Sequence, residues 1–134
     1  MVSQQTVESY RDLIAWQKGM DLACLAYEQT KYLPADERFG LISQMRRCAV
    51  SVPSNVAEGW GRHQGPEYVR FLYFSRGSTF ELSTQAEICV RLGYNGAWAH
   101  VISACDEIGR IVNGLIASIQ RRIDQPRQPL TPNP

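Results

Sequence analysis

Acid–base, metal or nucleophilic chemistry needs His, Cys, Asp or Glu at workable spacing, and this sequence offers few such groups. His63 and His100 are its two histidines. Neither has a glutamate three residues before it, so the Glu-x-x-His element of a di-iron bundle is absent. With no histidine placed beside a nucleophile, no Ser/His/Asp or Cys/His arrangement takes shape. Gly59-x-Gly61-x-x-x-Gly65 is rich in glycine, yet no strand precedes it and no Gly-Lys-Ser/Thr follows, so it does not read as a phosphate loop. Cys24, Cys48, Cys89 and Cys105 form no CxxC pair, and each lies among apolar neighbours in a different helical segment. They read as buried free thiols that pack as small hydrophobes. The chemistry-bearing residues therefore point away from an enzyme and away from any cofactor or metal.

The charged residues are more informative. Fourteen Lys and Arg against thirteen Asp and Glu give a net charge of +1, unlike the strongly basic surface of a general nucleic-acid binder. Only Lys18 and Lys31 are lysines; the other twelve cations are arginines. The planar guanidinium suits fixed ion pairs, interfaces and phosphate, although a codon bias towards arginine accounts for the excess equally well. Arg46 and Arg47 stand among apolar residues, with Asn55 and Glu58 two to three turns later; Arg76 precedes Glu81, and Arg62 sits in the glycine-rich break. An unpaired buried charge is very costly. Two readings stay open: Arg46, Arg47, Arg62, Arg76, Glu58 and Glu81 form ion pairs between helices or subunits, or some of the arginines face a groove or pore and hold phosphate.

These residues need elements to position them, and the apolar spacing predicts helices throughout. Leu13, Trp16, Met20, Ala23 and Tyr27 mark one face of a first helix from Ser9 to about Tyr32. Leu33-Pro34 ends it, and Asp36 is placed to cap a second. That helix carries Phe39, Ile42, Met45, Ala49, Val52 and Val56. Pro53 lies inside it and must either end or bend it. Because the apolar spacing survives across Pro53, we expect a bent helix reaching about Trp60, with Ser51 and Ser54 near the freed backbone groups. Pro66 and Glu67 suit the start of a third helix, and Gly93 suits its end. Its inward stripe reads Tyr68, Phe71, Leu72, Ser75, Ser78, Thr79, Leu82, Ala86 and Cys89. A fourth helix follows Asn95-Gly96, with Trp98, Ile102, Cys105, Ile108, Val112, Leu115, Ile116, Ile119 and Ile123. Helices of this length joined by short loops imply an all-α, up-down-up-down antiparallel four-helix bundle over residues 9–123. Residues 1–8 read as a loose polar lead, and residues 124–134, with four prolines, as a disordered tail.

The third helix carries more apolar surface than one buried stripe uses. Tyr73, Phe74, Phe80 and Ile88 lie off the inward face, and Phe74, Gly77, Glu81 and Ile88 share a second one. Gly77 costs about 1 kcal/mol against alanine inside a helix, a cost accepted where another backbone or a bulky side chain comes close. We therefore expect an oligomer interface at Tyr73, Phe74, Gly77, Phe80 and Ile88. The start of the chain lacks the basic and apolar regions of a signal peptide, and no stretch approaches the roughly 18 apolar residues of a membrane span. The expected location is the cytoplasm.

Three segments carry a family resemblance. Leu13-Ile14-Ala15-Trp16-Gln17-Lys18, the long run from Gly40 to Gly59 and the run Arg70-Phe71-Leu72 through Arg76-Gly77-Ser78 and Glu81-Leu82 resemble the 23S rRNA intervening-sequence proteins, over about Tyr10 to Ile119. The family's Arg-Arg, Pro-Ser-Asn, Ala-Glu-Gly and Arg-Gly-Ser elements fall on Arg46, Arg47, Pro53, Ser54, Asn55, Ala57, Glu58, Gly59, Arg76, Gly77 and Ser78. The resemblance implies a closed up-and-down bundle that assembles as a ring, typically a homopentamer. It also implies RNA or an RNA-associated protein as partner, since a related branch, the accessory variability determinant of diversity-generating retroelements, is a basic pentamer that binds nucleic acid and a reverse transcriptase. This chain differs from that branch in being nearly neutral.

Overall fold

Helical spacing with short connections folds the chain as expected into four helices, and no strand occurs among the described residues. The computed structural model describes residues 7–125; the expected loose lead and proline-rich tail lie almost wholly outside them. The helices are α1 (Ile14–Thr30), α2 (Leu41–Arg62), α3 (Gly65–Arg91) and α4 (Trp98–Asp124). Each packs on the next and α4 returns to α1, so the bundle is up-down-up-down and antiparallel. The core is drawn from all four: Leu22 and Ala26, Met45 and Val52, Leu72 and Leu82, Val101 and Val112 are essentially excluded from water. Burying each large aliphatic contributes about 1.5–3 kcal/mol.

α1 departs from the expectation in start and face. Ser9 and Asp12 form a capping box around a short 3-10 turn, Tyr10–Asp12, and Leu13 is extended before α1 begins at Ile14. The buried face is Ala15, Gly19, Leu22, Ala26 and Thr30, whereas Met20 and Tyr27 are exposed. Small residues make this seam because α1 approaches α2 closely: a β-carbon on Gly19 would sit 3.2 Å from the Pro53 Cβ. Apolar periodicity gives little weight to Ala and Gly, and so favours the larger flanking side chains.

Asp36 does not cap α2. It lies in a second 3-10 turn, Ala35–Glu37, and the Glu37 carboxylate accepts instead from the Leu41 N–H at 3.4 Å and from the Tyr94 hydroxyl at 3.0 Å. Phe39, expected on the buried stripe, is 88% exposed because it precedes the helix. α2 itself runs unbroken through Pro53. The Ser75 hydroxyl donates to the Val52 carbonyl at 2.8 Å, and the Asn55 amide donates to both the carbonyl and the hydroxyl of Ser51, each at 2.8 Å. The Ser51 and Ser78 hydroxyls meet at 2.8 Å. A helix interior with a proline loses about 3 kcal/mol or more, and tight packing with these hydroxyl bridges offsets that loss. Lower on the same seam, a β-carbon on Gly59 would meet the Phe71 Cβ at 2.9 Å.

α3 starts with Pro66 in its first turn and ends before Gly93, whose φ of 72° fits the left-handed residue that closes a helix. Val69 and Gln85 join its buried face; Tyr68, Phe71 and Ser78 are half-buried at its edge. The Gln85 Oε1 has no hydrogen-bond partner among the described residues. In α4, Val101 joins the core and Ile123 lies at the exposed end. The cysteines divide: Cys48, Cys89 and Cys105 are buried, but Cys24 is exposed, on an α1 flank beside α4. Burial pushes the Cys48 and Cys89 thiols up to about 11 and the Cys105 thiol to about 12.

Two consequences are measurable. In urea denaturation, Gly59→Ala is expected to lose about 1–3 kcal/mol through overpacking, while Gly61→Ala, whose β-carbon would meet nothing within 4 Å, gains about 0.5–1 kcal/mol in the same helix. A colorimetric thiol reagent should titrate one cysteine of four in the native protein and all four after denaturation; loss of that single fast thiol in Cys24→Ser identifies it.

Candidate interaction surface

The arginines singled out by sequence have separate duties. Arg46 reaches back from α2 to α1: its Nε donates to the Thr30 hydroxyl at 2.9 Å, and its guanidinium lies over the Tyr27 ring at 4.6 Å. Thr30 is buried and passes its own proton to the Ala26 carbonyl at 2.7 Å. Arg46 thus closes the C-terminal turn of α1, where a cation also suits the helix dipole. It does so with a hydroxyl, a ring and the Tyr27 carbonyl at 3.4 Å, and no described carboxylate pairs with it.

Arg62 pairs with Glu58 at 2.9 Å, one turn apart on the exposed end of α2, and lies over the Phe71 ring at 5.0 Å. Such an exposed pair contributes little to stability. Arg76 does not pair with Glu81. Five residues on a helix turn through about 500°, which leaves the two some 140° apart. Arg76 instead donates to the Asn113 Oδ1 at 3.0 Å and lies between the Tyr73 and Phe80 rings, at 4.9 and 5.5 Å. Arg70 lies over Phe74 at 5.4 Å. Arg47 is exposed and no described carboxylate pairs with it. It and Glu81 flank Cys48; after burial, the Glu81 carboxylate is the next cause of that thiol's raised pKa, and Arg47 pulls it the other way.

The candidate interface residues Tyr73, Phe74, Gly77, Phe80 and Ile88 all face outward in the single chain; of the four large side chains Phe80 is the most open at 55%. They form two ridges on α3. Phe74, Gly77, Glu81 and Ile88 follow one another along the first, with Glu81 near Cys48 of α2, and a β-carbon on Gly77 would meet nothing within 4 Å. Tyr73, Arg76 and Phe80 lean towards α4, where Phe80 and Ile88 border an open groove of about 640 Å³ that Gly109 leaves unfilled and that Glu87, Arg91, Asp106 and Arg110 line.

Sequence reasoning missed a second feature, at the end of the bundle where α2 turns into α3. Tyr10 stands 5.4 Å from Trp16 and 6.3 Å from Trp60, and Trp60 stands 5.2 Å edge-on to His63, measured between ring centroids. Trp60, His63 and Tyr68 line an opening of about 340 Å³ with Ile119, Arg122 and Ile123 of α4. Burial pushes the Tyr68 phenol up to about 12, with the Arg122 charge opposing it. The available signal was a histidine set between Gly61 and Gly65, in a loop where sequence alone suggests only a break. Among the described residues, no group of three or more His, Cys, Asp or Glu side chains could hold a metal ion, and no helix is long and apolar enough to cross a membrane.

Comparison with known proteins places this geometry. No curated protein matches the chain. A crystal structure of a protein of unknown function from Bacteroides thetaiotaomicron, described as from the S23 ribosomal protein family, superposes with a TM-score of 0.71 at 17% identity. It covers 77% of this chain and 98% of its own, and at that identity it speaks for the four-helix fold alone. The family model for the 23S rRNA-intervening sequence protein matches residues 11–114, which include every element of the bundle down to the middle of α4. The chain therefore belongs to the 23S rRNA-intervening sequence protein family.

Proposed function

We propose that the protein is a non-enzymatic scaffold: a ring of bundles, a homopentamer, that holds RNA on surfaces completed by assembly. The observation that supports this most is the outer surface of α3. A single chain exposes Phe74, Phe80 and Ile88 around a glycine that its own fold does not need. A helical glycine with open space above it is retained at a cost of about 1 kcal/mol unless a second molecule comes close there. Contacts between different patches of successive copies close into a ring when the rotation allows. Beside that ridge, Arg76 has no carboxylate partner and lies near the Tyr73 and Phe80 rings, and Arg47 is likewise unpaired among the described residues. Guanidinium groups held on aromatic rings suit phosphate and stacked bases.

The net charge of +1 favours a second reading, a protein-only adaptor whose ring docks a partner enzyme without touching nucleic acid. Salt separates the two. Structured RNA should be retained at low ionic strength and released as salt rises, with Arg76→Gln lowering the slope of log affinity against log salt by about one. No retention at low salt sinks the RNA reading and leaves the adaptor. Gly77→Leu should dissociate the assembly, seen on a sizing column, while the far-ultraviolet circular dichroism stays helical; an unchanged assembly removes Gly77 from any close contact.

A further inference from the structure

The opening at the α2–α3 turn is built differently from the rest of the surface. Its apolar lining comes from Ile119, Ile123 and the rings of Trp60 and Tyr68. Four polar side chains border it: the Tyr68 hydroxyl, the His63 imidazole, the Gln64 amide and the Arg122 guanidinium. None has a hydrogen-bond or ion-pair partner among the described residues. A concave apolar site of about 340 Å³ with a few polar groups at its rim lies at the small end of ligand pockets.

His63 adds an independent reason. It ends α2 at φ 58°, ψ 7°, the one non-glycine residue with positive φ among those described. Glycine is the usual residue at such a position because a side chain strains it. Glycines stand two residues away on either side, yet the strained position itself carries an imidazole packed edge-on against Trp60. A fold selected for stability alone does better with glycine there.

We infer that this opening binds a single nucleotide, its base stacked against Trp60 and Tyr68 and its phosphate held by Arg122 and His63. A flat aromatic base suits the two rings, as every base has a face to stack. A phosphate suits an arginine that has no carboxylate beside it. The site would take one unpaired nucleotide of an RNA strand or a free nucleotide by the same chemistry. The inference rests on the RNA reading for its biological meaning, but not for its geometry.

Calorimetric titration of the full-length protein with adenosine monophosphate, adenosine and inorganic phosphate tests it. Adenosine monophosphate should bind, and each fragment should bind at least tenfold more weakly. His63→Gly and Arg122→Gln should each weaken the nucleotide at least fivefold, and His63→Gly should do so without lowering the thermal midpoint, which separates ligand contact from a structural role. No heat with the nucleotide, phosphate binding as tightly as the nucleotide, or unchanged binding in both variants overturns the site. RNA retention by the same proteins keeps the two ideas apart. RNA bound equally by wild type and both variants separates this site from RNA retention and leaves the scaffold, the site itself being decided by the titrations; nucleotide bound by a protein that retains no RNA keeps the site and removes the RNA reading.

Discussion

A proline inside the second helix is the constraint on which the rest of the bundle depends. Pro53 is buried, its backbone N–H is missing, and α2 nevertheless continues from Leu41 to Arg62. Continuity requires neighbours on two sides. α1 offers a surface with no side chain at Gly19, which lets the proline ring seat against it. α3 offers hydroxyls: Ser75 reaches the Val52 carbonyl, and Ser78 meets Ser51, which Asn55 also holds. The Ser-Val-Pro-Ser-Asn run of α2 and the Ser-Arg-Gly-Ser run of α3 are therefore, in large part, two halves of one seam. Residues that look like a site in the sequence first serve to keep a broken helix whole.

That seam also decides which charges remain for other uses. Arg46 is committed to Thr30 and Tyr27, and so fixes α1 against α2. Arg76 follows Ser75 by one residue, and helical geometry then turns it away from the seam, onto Tyr73 and Phe80 beside the α4 groove. Gly77 comes next and opens the ridge between Phe74 and Ile88. Because inner hydroxyls and outer aromatics alternate on one helix at fixed angles, locking α3 to α2 necessarily presents its aromatic ridges to solvent. A bundle built this way is closed inside and unfinished outside.

How much of this was legible depended on what kind of signal each part carried. The four helices and the passage of α2 through Pro53 were legible because large apolar residues repeat at helical spacing over many turns. The buried face of α1 was not, because it is made of Ala15, Gly19 and Ala26, which contact by fitting closely and carry little hydrophobic signal. Phe39 misled for the opposite reason: a large apolar residue in phase with the stripe lies two residues before the helix begins. Arg46 looked like half of an ion pair, and only the fold brings it to a hydroxyl and a ring on another helix. Arg76 and Glu81 are close in sequence, but positions five apart on a helix face different ways, and Arg76 meets Asn113, Tyr73 and Phe80 instead. The aromatic cluster at the α2–α3 turn joins residues from four separate segments, and no spacing along the chain announces such a meeting.

The central claim is that the outer surface of α3 is completed by further copies of the chain. Multi-angle light scattering on the purified protein at micromolar concentration tests it most directly. The account predicts a particle of about five times the 15.2 kDa chain mass. A single species at the mass of one chain, stable across the concentration range, would contradict it.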